Sequence, residues 1–294
     1  MVSWFIATKY ISSRFITFAA FLLISLGVAI LIILLGVMEG FKTEMISRIR
    51  GISSDLKVES ARTVGMDTYP EVQRLVGEIP GVRASAPFID ILVLYTLGVP
   101  IGIPQRSGHL SLHALDLQEE ARVGELEQYV RNYAGDKEYR RLGLPETVAA
   151  TLSREWVEEG LWKTVGRPPP PNVRELKPVI LGAETFQFAP LLLGATIELQ
   201  TISPVTVELR TQQFIIVGYL RTKEVLFDTR AILMGVEDAK SFLALQHPET
   251  GKTHISGLRV FLEENGDYNR AKDEIVSSIN ASGIPFIKVQ TWRE

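Results

Sequence analysis

Cysteine is absent from all 294 residues. That single absence excludes thiol nucleophiles, zinc–thiolate centres and disulfide scaffolds together. A basic excess is also lacking: 31 Lys and Arg stand against 34 Asp and Glu, a formal net charge of −3. With no basic stripe carrying interleaved aromatics, nothing in the charge points to a nucleic-acid partner. Disordered, collagen-like and low-complexity classes fail on composition, since 46% of the chain is apolar and 22% charged. Long hydrophobic runs are scarce as well, and the single exception organises everything else.

That exception is Phe15 to Met38, 24 residues without a charge, 20 of them apolar. At a rise of about 1.5 Å per residue it is long enough to cross a hydrocarbon core of about 30 Å. A cleaved leader would have an apolar region of about 7–15 residues and then a small-residue cleavage site. Here the run is longer and passes into Met38, Glu39, Gly40, Phe41 and Lys42. It predicts an uncleaved spanning helix over 15–38. Residues 1–14, with Trp4, Phe5, Lys9, Tyr10 and Arg14, form an interfacial flank. Cations lie on both sides of the run, so their count does not orient it. No ionisable group sits inside the span, which argues against an ion or proton path along it.

The remainder reads as a globular domain. Phe41, Met45 and Ile49 continue a helical repeat, predicting a stalk over 39–52. Strand-like Asp55–Ser60 is followed by a helix from Tyr69, with Asp67 or Thr68 as cap and Val72, Leu75, Val76 and Ile79 on one face. Pro80 and Gly81 end it, and Val82–Thr96 reads as a strand or hairpin. The far end repeats this plan. His254–Leu262 is strand-like, a helix opens near Asp267 with Ala271, Ile275 and Ile279 buried, and Phe286–Val289 returns as a strand. Two such units at the two ends predict one shared α+β sheet, with the middle as an insertion. In that middle, Val123, Leu126, Val130 and Tyr133 share a helical face, as do Val148, Leu152 and Trp156. Pro168–Pro171 read as a stiff spacer or exposed loop rather than a recognition motif. Short strands follow at Thr196–Thr201, Val205–Arg210, Phe214–Leu220 and Ala231–Met234.

No catalytic pattern is complete in the sequence. His109 and His113 have ligand spacing for a helix, but their segment alternates like a strand, where i and i+4 lie about 13 Å apart. No glutamate follows His109 as a metalloprotease helix requires. Gly251, Lys252 and Thr253 resemble the end of a phosphate loop, yet the position of its first glycine holds Gln246. The acid pairs at Glu119, Glu158 and Glu263 read as solvated faces. The residues propose no enzyme, no metal and no cofactor.

The order of the apolar motifs does carry a resemblance. Phe15–Phe18 with Gly27–Ile32, then Gly36–Lys42 with its Met38-x-Gly40-Phe41, resembles the first membrane helix of the LolC/LolE type of ABC-transporter permease. His113–Asp116 resembles that family's strand ending in a Gly-x-Asp-like turn, with His113 where glycine is usual. Val179–Gly182, Gly194–Leu199 and Phe214–Gly218 resemble its next signatures; Asp228–Met234 with Ala239–Leu243, and Ile255–Leu262, complete the order. The resemblance implies an α+β fold: one N-terminal transmembrane helix, then a MacB-core-like periplasmic domain of two subdomains. Residues 53–113 and 228–290 would be the α+β porter-like part, and 114–227 the β-rich sabre-like insertion.

It further implies a bacterial inner-membrane protein, mostly periplasmic, with residues 1–14 on the cytoplasmic side. Such a protein is a permease subunit of a lipoprotein-releasing transporter that relays motion from a separate, cytoplasmic LolD-like ATPase. Further implied partners are a second permease subunit, a periplasmic lipoprotein carrier, lipoprotein substrates and membrane lipid. The best position for the carrier-contact loop is 98–108, with Pro100, Pro104 and Arg106. The family has three further membrane helices beyond this domain, the first expected just after Glu294, and its ATPase contact lies among them. Alternatives are a MacB-like efflux or mechanotransmission permease, or a membrane-anchored binding or sensor module.

Overall fold

A computed structural model describes residues 18–42, 54–97, 106–116, 119, 143–186, 192–222, 224–263 and 266–291. The chain divides into two compact units, Met1–Arg48 and Ile49–Glu294.

The first unit contributes one helix, α1 (Phe18–Lys42), of 25 residues. It runs without a break past Met38 into the first four residues assigned to the stalk; the stalk's remaining positions, 43–52, lie outside the described residues. None of its apolar stretch is buried, and Phe21, Leu31 and Met38 expose 68%, 60% and 71% of their surface. With its backbone bonds made internally and no charged side chain before Glu39, the helix is long and apolar enough to cross a bilayer.

Among its described residues the second unit is built on nine strands: β1 (Leu56–Ser60), β2 (Val82–Leu97), β3 (Arg106–Leu115), β4 (Lys177–Gly182), β5 (Thr196–Ile202), β6 (Leu209–Leu220), β7 (Ala231–Gly235), β8 (Gly257–Leu262) and β9 (Ile287–Thr291). They follow the order β3-β7-β4-β6-β5-β2-β8-β1-β9, and β3 pairs with β2 as well. This last pairing closes β2, β3, β7, β4, β6 and β5 into a ring and leaves β8, β1 and β9 as an arm. Most pairings are antiparallel; β3 with β7 and β4 with β6 are parallel.

Strand β2 makes this arrangement possible. Its 16 residues form one continuous strand, not a hairpin. One edge pairs with β3 from Phe88 to Leu97. The other edge is shared, with Val82–Phe88 on β8 and Leu94–Leu97 on β5. The ring is filled by alternate side chains, among them Leu110, Leu112, Ile197, Leu199 and Ile216. In the arm, helix α2 (Tyr69–Gly77) buries Val72, Leu75 and Val76 against the sheet. Between α2 and the chain's end come α3 (Val148–Thr151), α4 (Leu161–Val165), α5 (Val225–Arg230), α6 (Val236–Leu243) and α7 (Tyr268–Ala281). The last buries Ala271, Ile275 and Ile279, the face expected from its periodicity.

Three local expectations change. The cap of α2 is Thr68, but its side chain makes no capping bond, and Asp67 faces Lys252 at 3.6 Å instead. Val205–Arg210 is not a strand from its start: the Ser203 hydroxyl accepts from the amides of Val205 and Thr206, folding a turn that delays β6 to Leu209. Val148, Leu152 and Trp156 do not share one regular helix, because α3 ends at Thr151 and a π-helical turn follows at Trp156–Gly160. There the Trp162 indole donates to the Val157 carbonyl at 2.7 Å, and the Trp156 indole donates to Val217. The helix predicted around Val123–Tyr133 lies outside the described residues.

Candidate functional site

Between Phe88, its last partner position on β8, and Leu94, its first on β5, β2 has no strand on that edge. Side chains bridge the gap. The Ser256 hydroxyl accepts from the Asp90 amide at 3.0 Å and donates to the Asp90 carbonyl at 3.3 Å, while the Thr201 hydroxyl donates to the Leu92 carbonyl. Backbone groups that would otherwise be orphaned are thereby satisfied. The gap opens into a cavity of about 430 Å³, within the size range of ligand sites. Ile89, Ile91, Leu243, Leu245 and Ile255 make it largely apolar, with Ser203, His254 and Ser256 as polar members.

On the outer face of the same stretch, the Asp90 carboxylate lies 2.8 Å from His113 Nδ1 on β3 and 3.5 Å from Lys57 Nζ on β1. One side chain thus ties a ring strand to an arm strand. Burial pushes the Asp90 carboxyl up, but the His113 hydrogen bond and the positive charges of His113, Lys57 and Arg259 outweigh it and hold it below its ordinary range. His113 stacks on Phe227 of α5 at 5.1 Å, and Lys57 lies over the Phe88 ring at 5.0 Å. Serine, histidine and aspartate therefore meet here without forming a nucleophilic triad, because Ser256 is spent on the Asp90 main chain and not on the imidazole. The geometry makes a structural junction.

His254 sits in the cavity wall with its Nδ1 buried and without a hydrogen-bond partner. Burial lowers its pKa, with the charges of His247, Lys252 and Arg62 adding to the effect and Asp67 opposing it. Burial thereby favours the neutral imidazole over the charged one.

The positions singled out from sequence fall elsewhere. Pro100 and Pro104 lie outside the described residues. Arg106 is the first residue of β3, level with Leu97 at the end of the β2–β3 pairing. His109 and His113 share one face of β3, four residues apart on an extended strand, and His113 is engaged by Asp90. Among the described residues no group of three His, Asp or Glu is placed to hold a metal. Gly251, Lys252 and Thr253 lie at a turn closed by the Gly251 amide on the His247 carbonyl. The Asp90 junction escaped the sequence because its members lie 23 and 33 residues apart. The only local sign was one acid inside the apolar run Phe88–Leu94.

No protein-family model matches the sequence. Among solved structures, the chain is similar to the periplasmic region of MacB from Actinobacillus actinomycetemcomitans, at 11% identity and a TM-score of 0.40, over 83% of this chain and 92% of that one. It is also similar to the extracellular domain of the noncanonic ABC-type transporter YknZ from Gram-positive bacteria, at 12% identity and a TM-score of 0.39, over 80% and 99%. Likenesses at this level carry no functional argument, and function has to be read from the chain's own features.

Proposed function

We propose that the chain is a permease-type subunit of an ABC transporter, anchored in the bacterial inner membrane, whose periplasmic domain relays mechanical motion in the MacB-like manner. The observation that carries this reading is where the chain enters and leaves the domain. It enters at β1 and leaves at β9, neighbouring antiparallel strands with Leu56 opposite Thr291. A domain inserted between two membrane helices needs such adjacent ends, so that displacement of the helices is delivered to one edge of a stiff sheet. The ordered motifs support the same reading. Val179–Gly182 falls in β4, Thr196–Leu199 in β5, Phe214–Gly218 in β6, Ala231–Met234 in β7 and Gly257–Leu262 in β8.

In this reading residues 53–113 with 228–290 form the porter-like part and 114–227 the sabre-like part. ATP hydrolysis belongs to a separate cytoplasmic, LolD-like subunit, with a second permease subunit alongside. The finer proposal is lipoprotein release to a periplasmic carrier, and it rests on the LolC/LolE-like motif order alone. The test is co-purification of the full chain with a LolD-like ATPase, with and without the three further membrane helices that the resemblance implies. Recovery of a stable complex is expected; a chain recovered free of ATPase in every combination overturns the reading. In spheroplasts, external protease should cut the domain, and protection overturns the periplasmic assignment.

A further inference from the structure

His254 stands where two stretches of chain meet along the wall of the apolar cavity. One is the hairpin 245–254 that follows α6, tied by the His254 amide on the Leu245 carbonyl and the His247 amide on the Lys252 carbonyl. The other is the segment 63–66 ahead of α2. Thr63, Val64 and Gly65 line the cavity from one stretch, Leu245, His254 and Ile255 from the other. The seam between them is short. Met66 and Ile255 exchange two backbone hydrogen bonds, at 2.7 and 3.1 Å, and Lys252 faces Asp67 at 3.6 Å. Gly65 packs directly on it, since a Cβ there would lie 2.6 Å from the Ile255 carbonyl oxygen.

A proton on His254 works against this seam. A neutral imidazole can hold its one proton on Nε2 and leave Nδ1 bare, whereas the imidazolium carries a proton on both nitrogens. Nδ1 is buried with no hydrogen-bond partner, so the added N–H would be left without an acceptor beside apolar walls. The surrounding charges do not repair this. His247 and Lys252 face the ring from its own hairpin, and Arg62 from the stretch ahead of α2. Asp67 is the acid that opposes them, and Lys252 already holds it. The His247 ring centroid is 6.2 Å away. Among the described residues lining the cavity the one carboxylate is that of Asp90, which is turned to His113 and Lys57.

We propose that protonation of His254 parts this seam, so that segment 63–66 and the hairpin separate at Met66 and Ile255 and the cavity opens to water. Parting brings the new N–H to solvent, where water accepts from it. The two backbone bonds that are lost are likewise replaced by bonds to water, which keeps the opening within reach of a single titration. The pairings of β8 with β1 and β2 do not involve the ring, so the change stays local. All of these contacts lie within one unit, and the device does not depend on the chain being a permease.

Hydrogen exchange tests this in the full chain, in detergent micelles at pH 7 and pH 5, with rates corrected for the intrinsic pH dependence of exchange. Peptides covering 63–67 and 245–256 should exchange about fivefold faster or more at pH 5, while peptides from the buried part of β6 should not change. His254→Gln, which cannot gain that proton, should keep the seam equally closed at both pH values. His254→Asn takes its place if the longer amide does not fold. Unchanged exchange at the seam means that the ring turns or takes its proton in place, and overturns the proposal. Equal acceleration in β6 is a general loosening of the domain and overturns it too, as does a pH response that survives loss of the imidazole. None of these outcomes bears on ATPase recovery, so the acid-released seam and the proposed function fail separately.

Discussion

Asp90 shows how one side chain can join two parts of a sheet that the backbone leaves apart. Its carboxylate accepts from His113 and faces Lys57, and a third of its side-chain surface remains exposed. Because its pKa in the fold lies below the unfolded value, its contribution is full above about pH 4 and is lost as pH falls through the folded value. Discounted for solvent screening, Asp90→Asn should cost about 1 kcal/mol at neutral pH and flatten the acid limb of a stability–pH profile from chemical denaturation. His254 has the opposite consequence. Its folded pKa is lowered, so the fold binds fewer protons than the unfolded chain, and stability falls as pH drops through about 6.5 towards the folded value. Replacing it by Gln should remove that loss, visible as a smaller difference in melting midpoint between pH 7 and pH 5. Neither residue was legible as a site beforehand, because burial and distant charges set both shifts.

At the scale of elements, caps and glycines account for where regular structure starts and breaks. Helix α7 starts at Asp267, whose carboxylate accepts from the amides of Asn269 and Arg270 at 3.0 and 3.2 Å. Asp267→Ala should cost about 1 kcal/mol of stability in urea denaturation, with the fold unchanged. That start was readable in the sequence, as was the buried face behind it, since cap and period are local properties. The π-helical turn was not. Gly160 lies under the Trp156 ring, and a Cβ there would come within 2.3 Å of Trp156 Cε3. Gly160→Ala should destabilise by about 1–3 kcal/mol in the same measurement and displace the Trp156 indole from the Val217 carbonyl, read as a shift in tryptophan fluorescence. The break depends on a hydrogen bond 61 residues away, which no local period reports.

For the whole molecule, one membrane helix and one closed-and-extended sheet divide the work. From Phe18 to Met38 the helix exposes almost only apolar side chains and no charge, and its membrane residence follows from that surface. Ile30→Arg with Leu31→Arg should move the full chain from the membrane pellet into the carbonate-extracted supernatant, each charge costing about 3 kcal/mol at a helix centre. The ring's packing is equally sensitive. Leu112, fully buried on β3, lies between β2 and β7, and Leu112→Ala should cost about 2–5 kcal/mol, with cooperative loss of ring and arm together through the shared strand β2. A melt in which the arm survives loss of the ring would contradict that coupling.

By itself the sequence determined the apolar helix, the absence of thiol chemistry, most of the strands and the buried faces of α2 and α7. Each follows from composition or from a period of 2 or 3.6 along neighbouring residues. The tertiary structure decided what those elements make. Closure of the ring depends on β2 offering two edges to three partners, and the junction at Asp90 on charges brought together across strands. Register sets Leu94 opposite Gln200 and Asp90 opposite His113, although 106 and 23 positions separate them in the chain. Cross-strand register is set by the packing of the whole sheet, and a linear pattern holds no record of it.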